Sequence, residues 1–485
     1  MSASTAMTLP DGYAIFVSRD CETCREIEPA LRQLVDAGIP LTFVSQDDPG
    51  YPEGVAGVID DRDLELSWRL DIEVTPTAVR ITDGNPGGRV AGWRKSEWEE
   101  FFGVSPLGPG LPEHRPGCGS ATLLPGAPEK LAARFGGGPA LVSRRIAIDQ
   151  SADEYEEIYA RGWTDGLPVI TPTEERVIRM LGGTRRDPAE IIGVLPPDYA
   201  ECTVEKAAIN AVMAGCLPEY LPVVLAAVES FAAEPFNGHG VVATTWYSGP
   251  VIIVNGPIGA RIGMNAEHNV FGPGNRANAT IGRALNLIVR NIGGARPGAV
   301  DRSTQGHPSK YTMAFPEREA DSPWSSLAVE RGVPEGASAV TLFAGQGPAP
   351  IADQKSTSPE SLVRSLAAGL RTVRHPKAVR RVAALLAIAP EHARIFGRAG
   401  WDKDRLRDEI IDLLTFPDSE IVVGADGIDE GSTGRVSGEL VAKFTPDNLW
   451  FVHVGGGAGG SSGIISGWVT GPKGSAMVTT ILEEG

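Results

Sequence analysis

The fold of the amino-terminal part of the chain can be inferred from the stretch Tyr13-Ala14-Ile15-Phe16-Val17-Ser18-Arg19-Asp20-Cys21-Glu22-Thr23-Cys24. Its first six residues have the composition and length of a strand. Two cysteines separated by two residues come soon after, and over 25–37 the apolar side chains recur at helical spacing. The sequence therefore predicts a strand that leads into a CxxC motif at the start of a helix.

The next residues continue as alternating strands and helices. The predicted elements are strands over 40–45, 78–81 and 89–93 and helices over 64–70 and 96–102. Val74-Thr75-Pro76-Thr77 leads into the strand over 78–81, and the residues 83–88 predict a turn. The predicted order is β-α-β-α-β-β-α, which is an α/β arrangement.

This order resembles the thioredoxin superfamily over residues 1–102, which we take as the first domain. The resemblance rests on the CxxC motif between a strand and a helix, on Thr75-Pro76 and on the Gly-rich hairpin. It implies a thioredoxin-like fold in which Pro76 is a cis-proline beside the redox site. Glu22-Thr23 replaces the Gly-Pro of thioredoxin, which leaves the redox potential and the partner open.

Cys21 and Cys24 are the strongest candidates for chemistry. A cysteine at the start of a helix has its thiolate stabilised by the helix dipole and by free N–H groups. In such a pair the first cysteine attacks and the second resolves the mixed disulfide. Half of a zinc site is the alternative, but zinc needs further ligands and no second CxxC occurs. The motif predicts a redox-active disulfide, with no metal and no other cofactor.

The composition of the chain limits the classes of partner. The net charge is −17, which favours neither nucleic acid nor an anionic membrane. No run of about 18 apolar residues occurs, and residues 1–12 lack the pattern of a signal peptide. Five cysteines in 485 residues argue against a structural disulfide framework. We expect a cytoplasmic protein with a small-molecule substrate, and leave open an external thiol reductant and a homo-oligomer.

Residues 103–143 are rich in glycine and proline and predict a linker between two domains. The linker contains Cys118, which is flanked by two glycines. Because an exposed cysteine oxidises readily, this thiol is interpreted either as a mobile relay between the domains or as an incidental loop thiol. A larger α/β catalytic domain is predicted over 144–485, where helical and strand patterns alternate.

Cys202 and Cys216 flank a predicted helix over 203–214 in the second domain. The start of this helix would lower the pKa of Cys202. Cys216 lies in a Gly-Cys-Leu-Pro turn, which would expose a thiol. Either thiol is a candidate nucleophile, with Cys216 favoured and with Glu205 as a candidate proton donor. The alternative is that both cysteines are small buried side chains.

Loops rich in glycine and asparagine form the predicted substrate site. Phe271-Gly272-Pro273-Gly274-Asn275-Arg276 leads into a helix, and a helix start with an arginine can bind an anion. His239 and His268 are acid/base candidates, although a lone histidine is more often structural. The glycines could also serve tight turns alone. The predicted substrate-binding residues are Asn255, Asn265, His268, Gly272, Gly274, Arg276, Asn278 and His239.

A glycine-rich run over 455–463 follows His453. It fits dinucleotide-binding and nucleophile-elbow patterns by spelling alone, because both need a helix after the glycines and none is predicted. Glycine is entropically costly in a strand. The run is therefore interpreted as a loop.

The second domain resembles a bacterial protein family associated with UGSC-type selenoproteins and cysteine proteins. The residues 162–168 (Gly-Trp-Thr-Asp-Gly-Leu-Pro), 203–216 and 271–278 carry this resemblance, which implies thiol or selenol redox chemistry. The sequence thus predicts a thiol-dependent enzyme, an oxidoreductase or a carbon–heteroatom lyase, acting on a small anionic molecule, with the thioredoxin-like module resetting catalytic thiols. The alternatives are a thiol-disulfide exchange protein or chaperone acting on a protein partner, and a hydrolase or lyase with a regulatory redox module.

Overall fold

The structure is a computed structural model that describes residues 9–135, 141–148, 153–422 and 436–482. The chain divides into two units, Met1–Ala140 and Leu141–Gly485. Both units combine helices with mixed sheets, so the predicted α/β class is confirmed. Among the described residues, no helix is long and apolar enough to cross a membrane.

The strands of the first unit are β1 (Gly12–Val17), β2 (Leu41–Ser45), β3 (Ile59–Asp60), β4 (Val74–Thr75), β5 (Thr77–Thr82), β6 (Asn85–Ala91), β7 (Trp93–Arg94), β8 (His114–Arg115) and β9 (Cys118–Gly119). Five of them form the main sheet, in the order β3-β2-β1-β5-β6, in which β1 is parallel to β2 and antiparallel to β5. Its helices are α1 (Glu22–Glu26), α2 (Glu28–Asp36), α3 (Glu65–Arg69), α4 (Lys95–Phe102) and α5 (Ala127–Phe135). Two short ladders, β4–β9 and β7–β8, lie outside the main sheet.

The apolar residues of β1 explain why it is the central strand. Successive side chains of a strand point to opposite faces. Ile15 and Val17 accordingly join the core cluster that contains Leu31 of α2, whereas Ala14 and Phe16 join a separate cluster. Both faces of β1 are therefore buried, which places the end of this strand, and the cysteines after it, firmly in the fold.

Most of the predicted linker belongs to the first unit, since β8, β9 and α5 lie between residues 103 and 135. The indole of Trp93 donates to Pro112 O at 2.7 Å, and the amide of Gln46 donates to Ser120 Oγ at 2.8 Å. These buried side chains hold the segment, although its glycine and proline content indicates a linker. Cys118 consequently lies in a strand, and the second unit begins at Leu141.

The second unit contains a seven-stranded sheet of order β13-β12-β14-β19-β15-β18, with β20 also paired to β14. The strands of this unit are β10 (Ile191–Leu195), β11 (Ala200–Thr203), β12 (Gly249–Asn255), β13 (Ala314–Pro316), β14 (Ala339–Ala352), β15 (Val382–Ile388), β16 (Thr415–Pro417), β17 (Leu440–Ala442), β18 (Leu449–His453), β19 (Ser461–Val469) and β20 (Val478–Ile481). Its helices are α6 (Glu154–Ala160), α7 (Glu174–Leu181), α8 (Val204–Ala214), α9 (Leu221–Ala232), α10 (Gly238–Ala243), α11 (Ile258–Arg261), α12 (Arg276–Asn291), α13 (Leu327–Glu330), α14 (Pro359–Arg371), α15 (Pro390–Arg398), α16 (Lys403–Leu413) and α17 (Ser419–Val422).

Alternating burial shows that this sheet folds back on itself. Ile252 of β12 packs in the cluster with α8, α9 and α12, and Leu386 of β15 packs in the cluster with α14, α15 and α16. Their neighbours Ile253 and Leu385 both belong to a third cluster, between the two halves of the sheet. Gly345 of β14 pairs with both β12 and β19, and the register shift between Gly345 and Pro348 lies just beyond the last residue that pairs with β12.

The folding of the sheet brings the ends of its two edge strands together. After β13, the backbone N–H of Arg318 donates to the carbonyl oxygen of His453, the last residue of β18, at 2.8 Å. Val454 N–H donates to Ile388 O at the end of β15. The carboxyl ends of β13, β15 and β18 therefore meet, and β12 ends beside them through Asn255.

Two segments with ambiguous sequence patterns form strands in the structure. The residues 382–388, whose alanines and leucines suit either a helix or a strand, form the buried strand β15. The interpretation of 455–463 as a loop is wrong for its last three residues, because β19 begins at Ser461. Pairing with β14 and β15 on both sides supplies the backbone hydrogen bonds that outweigh the entropic cost of the glycines in β19.

Candidate functional site

Cys21 occupies the N-cap position of α1, directly after the central strand β1. Its Sγ accepts a hydrogen bond from the backbone N–H of Cys24 at 3.4 Å. In the thiol form, Cys21 donates to the carbonyl oxygen of Thr75 at 3.2 Å. Because β5 begins two residues after Thr75 and pairs with β1, the main sheet fixes both sides of this contact.

Thr75 also connects the cysteine pair to a third thiol. The Thr75–Pro76 peptide is cis, which is the geometry predicted for Pro76. Thr75 belongs to β4, which is antiparallel to β9, and Cys118 of β9 lies directly opposite Thr75. The structure thus brings Cys21, Cys24 and Cys118 into one site within the first unit.

The segment 114–119, which carries Cys118, is attached to the helix that follows Cys21. The hydroxyl of Thr23 donates to Pro116 O at 2.6 Å. The guanidinium of Arg115 forms an ion pair with the carboxylate of Glu26 at 2.8 Å. Thr23, one of the two residues between Cys21 and Cys24, therefore helps to hold the segment that carries the third thiol.

The two glycines that flank Cys118 differ in their surroundings. A Cβ on Gly117 would lie 2.1 Å from Val74 Cγ1 and 2.7 Å from Thr75 O, so no side chain fits there. A Cβ on Gly119 would meet no atom within 4 Å. Gly117 is thus required for the close approach of this segment to β4, and Gly119 is not.

The three thiols have different charge states. The hydrogen bond from the Cys24 thiol lowers the pKa of Cys21 to about 5, against the effect of burial, and a hydrogen bond from Cys118 contributes in the same direction. Burial raises the pKa of Cys24, and the adjacent Cys21 raises it further. Burial also raises the pKa of Cys118, partly opposed by the backbone N–H groups of Thr23 and Glu22. At neutral pH the site therefore holds one thiolate, on Cys21, beside two protonated thiols.

All five cysteines are free thiols. Across the described ranges, no group of three or more histidine, cysteine, aspartate or glutamate side chains is arranged to hold a metal ion. The chemistry available to the three-thiol site from its own residues is nucleophilic attack by a thiolate and thiol–disulfide exchange.

Cys202 and Cys216 lie in the second unit, in the core cluster that contains α8, α9 and α12. Burial raises the pKa of each thiol to about 12. The predicted lowering of the Cys202 pKa is not found, because burial outweighs any effect of the nearby helix start. Both thiols are protonated at neutral pH, which is unfavourable for a nucleophile and is typical of small buried side chains.

Glu205 lies in the first turn of α8 and has about 1% of its surface exposed. Its two carboxylate oxygens accept the backbone N–H groups of Val142, at 3.0 Å, and Ser143, at 2.9 Å. These contacts attach the start of the second unit to α8. These contacts give Glu205 a structural role, and its role as a proton donor stays a prediction.

The predicted anion site before α12 is held together by asparagine side chains. Asn275 caps α12 by accepting the backbone N–H of Asn278 at 3.0 Å. Asn278 in turn donates to Asn265 O at 2.8 Å and accepts the N–H of Asn265 at 3.0 Å. These amides are therefore bonded within the loop.

The other members of that predicted site also make internal contacts. The guanidinium of Arg276 donates to Gly215 O at 2.9 Å. A Cβ on Gly272 would lie 2.1 Å from Asn269 Oδ1, and Gly274 has a φ of +118°, so both positions favour glycine for the backbone turn. Anion binding here remains a prediction, with the tight-turn alternative accounting for the contacts.

The two predicted acid/base histidines lie in different environments. His239 Nδ1 is 3.2 Å from the hydroxyl of Tyr199, which precedes β11. His268 packs against the glycine-rich loop, since a Cβ on Gly456 would come within 2.5 Å of its ring. His268 therefore lies next to the residues that follow His453.

A cleft beside His453 was missed from the sequence. Its volume is about 390 Å³, and its polar lining residues are Arg318, Asp321, Arg394, Arg398 and His453. His453 Nδ1 lies 2.8 Å from Arg318 O, a geometry in which Nδ1 carries the proton. Burial lowers the pKa of His453, so the ring is neutral at pH 7. Nε2 then has a free lone pair, and no described residue bonds to it.

The buried carboxylate of Glu317 accepts several hydrogen bonds at this edge of the sheet. Glu317 has about 5% of its surface exposed and accepts hydrogen bonds from Leu327 N at 2.7 Å, Asn255 Nδ2 at 2.7 Å and His453 N at 3.3 Å. Lys403 Nζ lies 3.9 Å from it. Burial raises the pKa of Glu317, against the effect of Lys403. Asn255, predicted to bind substrate, thus serves to hold Glu317.

One signal could have identified this cleft. His453 ends a run of buried-type residues and precedes glycines, and loops beyond strand carboxyl ends commonly bind ligands. The glycine- and asparagine-rich loops between β12 and α12 gave the stronger signal in the sequence. The arginines come from α15 and from the loop after β13, far away in sequence, and no local pattern links them to His453.

Comparison of the sequence with models of known protein families finds no match, and comparison with curated proteins finds none either. The function is therefore argued from the chemistry of the two sites.

Proposed function

We propose that the first unit is a dithiol–disulfide oxidoreductase with Cys21 as its nucleophile. The observation that carries the proposal is the position of Cys21 at the start of α1, where its Sγ accepts the backbone N–H of Cys24 at 3.4 Å. The same Sγ lies beside Thr75, the ladder partner of Cys118. A thiol that ionises well below neutral pH attacks disulfides at pH 7, and adjacent thiols can complete the exchange.

The surrounding fold supports this proposal. The strand before Cys21 is central in its sheet, with a parallel strand on one side and an antiparallel strand that follows Pro76 on the other. This is the arrangement that a thioredoxin-like fold would require. The cis peptide before Pro76 lies next to the nucleophile, as the resemblance implies.

Equilibration of the full chain with glutathione buffers tests the proposal. We expect a two-electron couple between roughly −120 and −270 mV, the range of known exchange proteins. Cys21→Ser should abolish the couple, while Cys202→Ser, which removes a buried thiol of the other unit, should leave it unchanged. A wild-type protein without any couple in this range would overturn the proposal.

A second candidate function concerns the second unit, for which the sequence predicts a small anionic substrate. The observation that favours it is the neutral His453 in a cleft with Arg318, Arg394 and Arg398. Arginines bind carboxylates and phosphates, and a neutral imidazole with a free Nε2 can accept a proton. The unit would then be a hydrolase or lyase with acid/base chemistry at His453, and Cys216 would not take part.

Titration of the full chain with malonate and with inorganic phosphate tests this second candidate. Arg398→Ala should weaken binding about tenfold or more, because a hydrogen bond to a charged group contributes about 1.5–3 kcal/mol. Arg364→Ala, an exposed arginine of α14, is the matched control and should bind like the wild type. Equal weakening in both variants, or no binding in the wild type, would refute the candidate.

A further inference from the structure

We propose that Cys118 is the resolving thiol of Cys21, so that turnover forms a Cys21–Cys118 disulfide in the first unit. This inference rests on the proposed thiol–disulfide exchange and names a different partner from the CxxC motif itself. It also places Cys118 within the redox site, whereas the sequence suggested a relay between domains.

The backbone geometry places Cys118 at the nucleophile. Cys118 and Thr75 are opposite residues of an antiparallel ladder, whose Cα atoms lie about 4.5–5.5 Å apart. Cys21 Sγ is 3.2 Å from the carbonyl oxygen of Thr75. Cys21 and Cys118 therefore both lie beside the same backbone residue, Thr75, and a disulfide between them needs only a local movement.

Burial distinguishes Cys118 from Cys24 as the resolving thiol. Cys24 has about 0% of its surface exposed, whereas Cys118 is half-buried. A resolving thiol has to ionise, and a thiolate is less costly where water and N–H groups reach it. Thr23 and Glu22 supply such N–H groups to Cys118. Cys118 therefore forms the attacking thiolate more readily than Cys24.

The steps balance with a disulfide substrate RSSR′ as the oxidant. The Cys21 thiolate attacks one sulfur, the S–S bond of the substrate breaks, and R′S⁻ leaves and takes up a proton. Cys118 then loses its proton and attacks Cys21 Sγ, which breaks the bond to R and releases RS⁻, also protonated by solvent. Two protein thiols are oxidised to one disulfide, and RSSR′ is reduced to two thiols.

Thionitrobenzoate release from 5,5′-dithiobis(2-nitrobenzoate), supplied below one equivalent, tests the assignment in the full chain. Attack by Cys21 releases a first thionitrobenzoate, and attack by the resolving thiol releases a second. We expect Cys24→Ser to release the second with a rate close to that of the wild type. In Cys118→Ser the second release should slow by about tenfold or more, because a buried thiol ionises less readily. Peptide mapping of oxidised Cys24→Ser should find Cys21 joined to Cys118.

The opposite pattern would overturn the inference, namely a stable Cys21 adduct in Cys24→Ser with rapid second release in Cys118→Ser. Failure of the proposed function has a different signature, because then Cys21→Ser and the wild type would release the first thionitrobenzoate equally slowly. Cys118→Ala is a second variant, and fluorescence of the buried Trp93 and Trp98 reports whether either variant keeps the fold of the first unit. A Cys118→Ala variant that is folded and resolves as fast as the wild type would also refute the assignment.

Discussion

Cys118 and Thr75 lie directly opposite each other in the β4–β9 ladder, and Cys21 Sγ lies 3.2 Å from the carbonyl oxygen of that same Thr75. One backbone residue thus aligns two thiols that are 97 positions apart in the sequence. The cysteine pair of a CxxC motif is local, whereas this third thiol reaches the site through strand pairing. The charge state of Cys21 and the attachment of the segment that carries Cys118 can each be measured.

The pH dependence of Cys21 reactivity follows from its pKa of about 5. Iodoacetamide should alkylate Cys21 at a rate that has already reached its plateau at pH 7, with a midpoint near 5. Cys118→Ala should shift the midpoint upward, because the hydrogen bond from that thiol helps to stabilise the thiolate. A midpoint near the ordinary value of 9.0 in the wild type would contradict this prediction.

The same pKa predicts how stability varies with pH. Between about 5 and 9.0, the unfolded chain keeps the Cys21 proton and the folded chain does not. The free energy of unfolding therefore rises with pH across this window, and the contribution is lost as pH falls through the folded pKa. Chemical denaturation of the wild type and of Cys21→Ser under reducing conditions measures it. Parallel pH profiles for the two proteins would refute the prediction.

Gly117→Ala should disrupt the attachment of Cys118 to β4. The added Cβ would lie 2.1 Å from Val74 Cγ1 and 2.7 Å from Thr75 O, so the strand must move. We expect a loss of stability of about 1–3 kcal/mol and an upward shift of the Cys21 pKa. Gly119→Ala is the matched control, because its Cβ meets no atom within 4 Å. Thermal denaturation and the alkylation profile give both readouts, and equal effects of the two alanines would contradict the prediction.

Thr23→Val removes the hydrogen bond from the Thr23 hydroxyl to Pro116 O while keeping the shape of the side chain. We expect a loss of about 1 kcal/mol in stability, the usual net value of such a bond, and faster alkylation of Cys118 as its segment loosens. Thr23→Ser retains the hydroxyl and should behave like the wild type. Unchanged Cys118 alkylation in Thr23→Val would show that this bond does not hold the segment.

His453 should make the second unit more sensitive to acid. Its pKa is lowered by burial, so between that value and the ordinary 6.5 the unfolded chain binds a proton that the folded chain does not. Stability supplied by the neutral ring is complete above about pH 6.5 and is lost as pH falls toward the folded pKa. His453→Gln should remove this component from the pH profile of the melting temperature. An identical pH profile in wild type and variant would exclude the effect.

Local sequence patterns were sufficient to predict the α/β class and the position of the CxxC motif at the start of a helix. An apolar strand followed by CxxC and a helical repeat are near-neighbour patterns, and β1, α1 and α2 follow them with few differences. The helix predicted from Arg276 is α12, and Pro76 is cis beside Cys21. Short-range periodicity and turn chemistry are sufficient for such features.

Which groups lie together in space depends on long-range contacts that local sequence patterns do not specify. Composition indicates a linker around Cys118, but hydrogen bonds from Trp93 and Gln46 hold that segment in the first unit. Burial, which no local pattern specifies, raises the pKa of Cys202 and Cys216. Strand pairing and the folding of a sheet join residues that are remote in the chain. Because these contacts are long-range, the position of the third thiol and the cleft at His453 follow from the folded structure and not from any local sequence pattern.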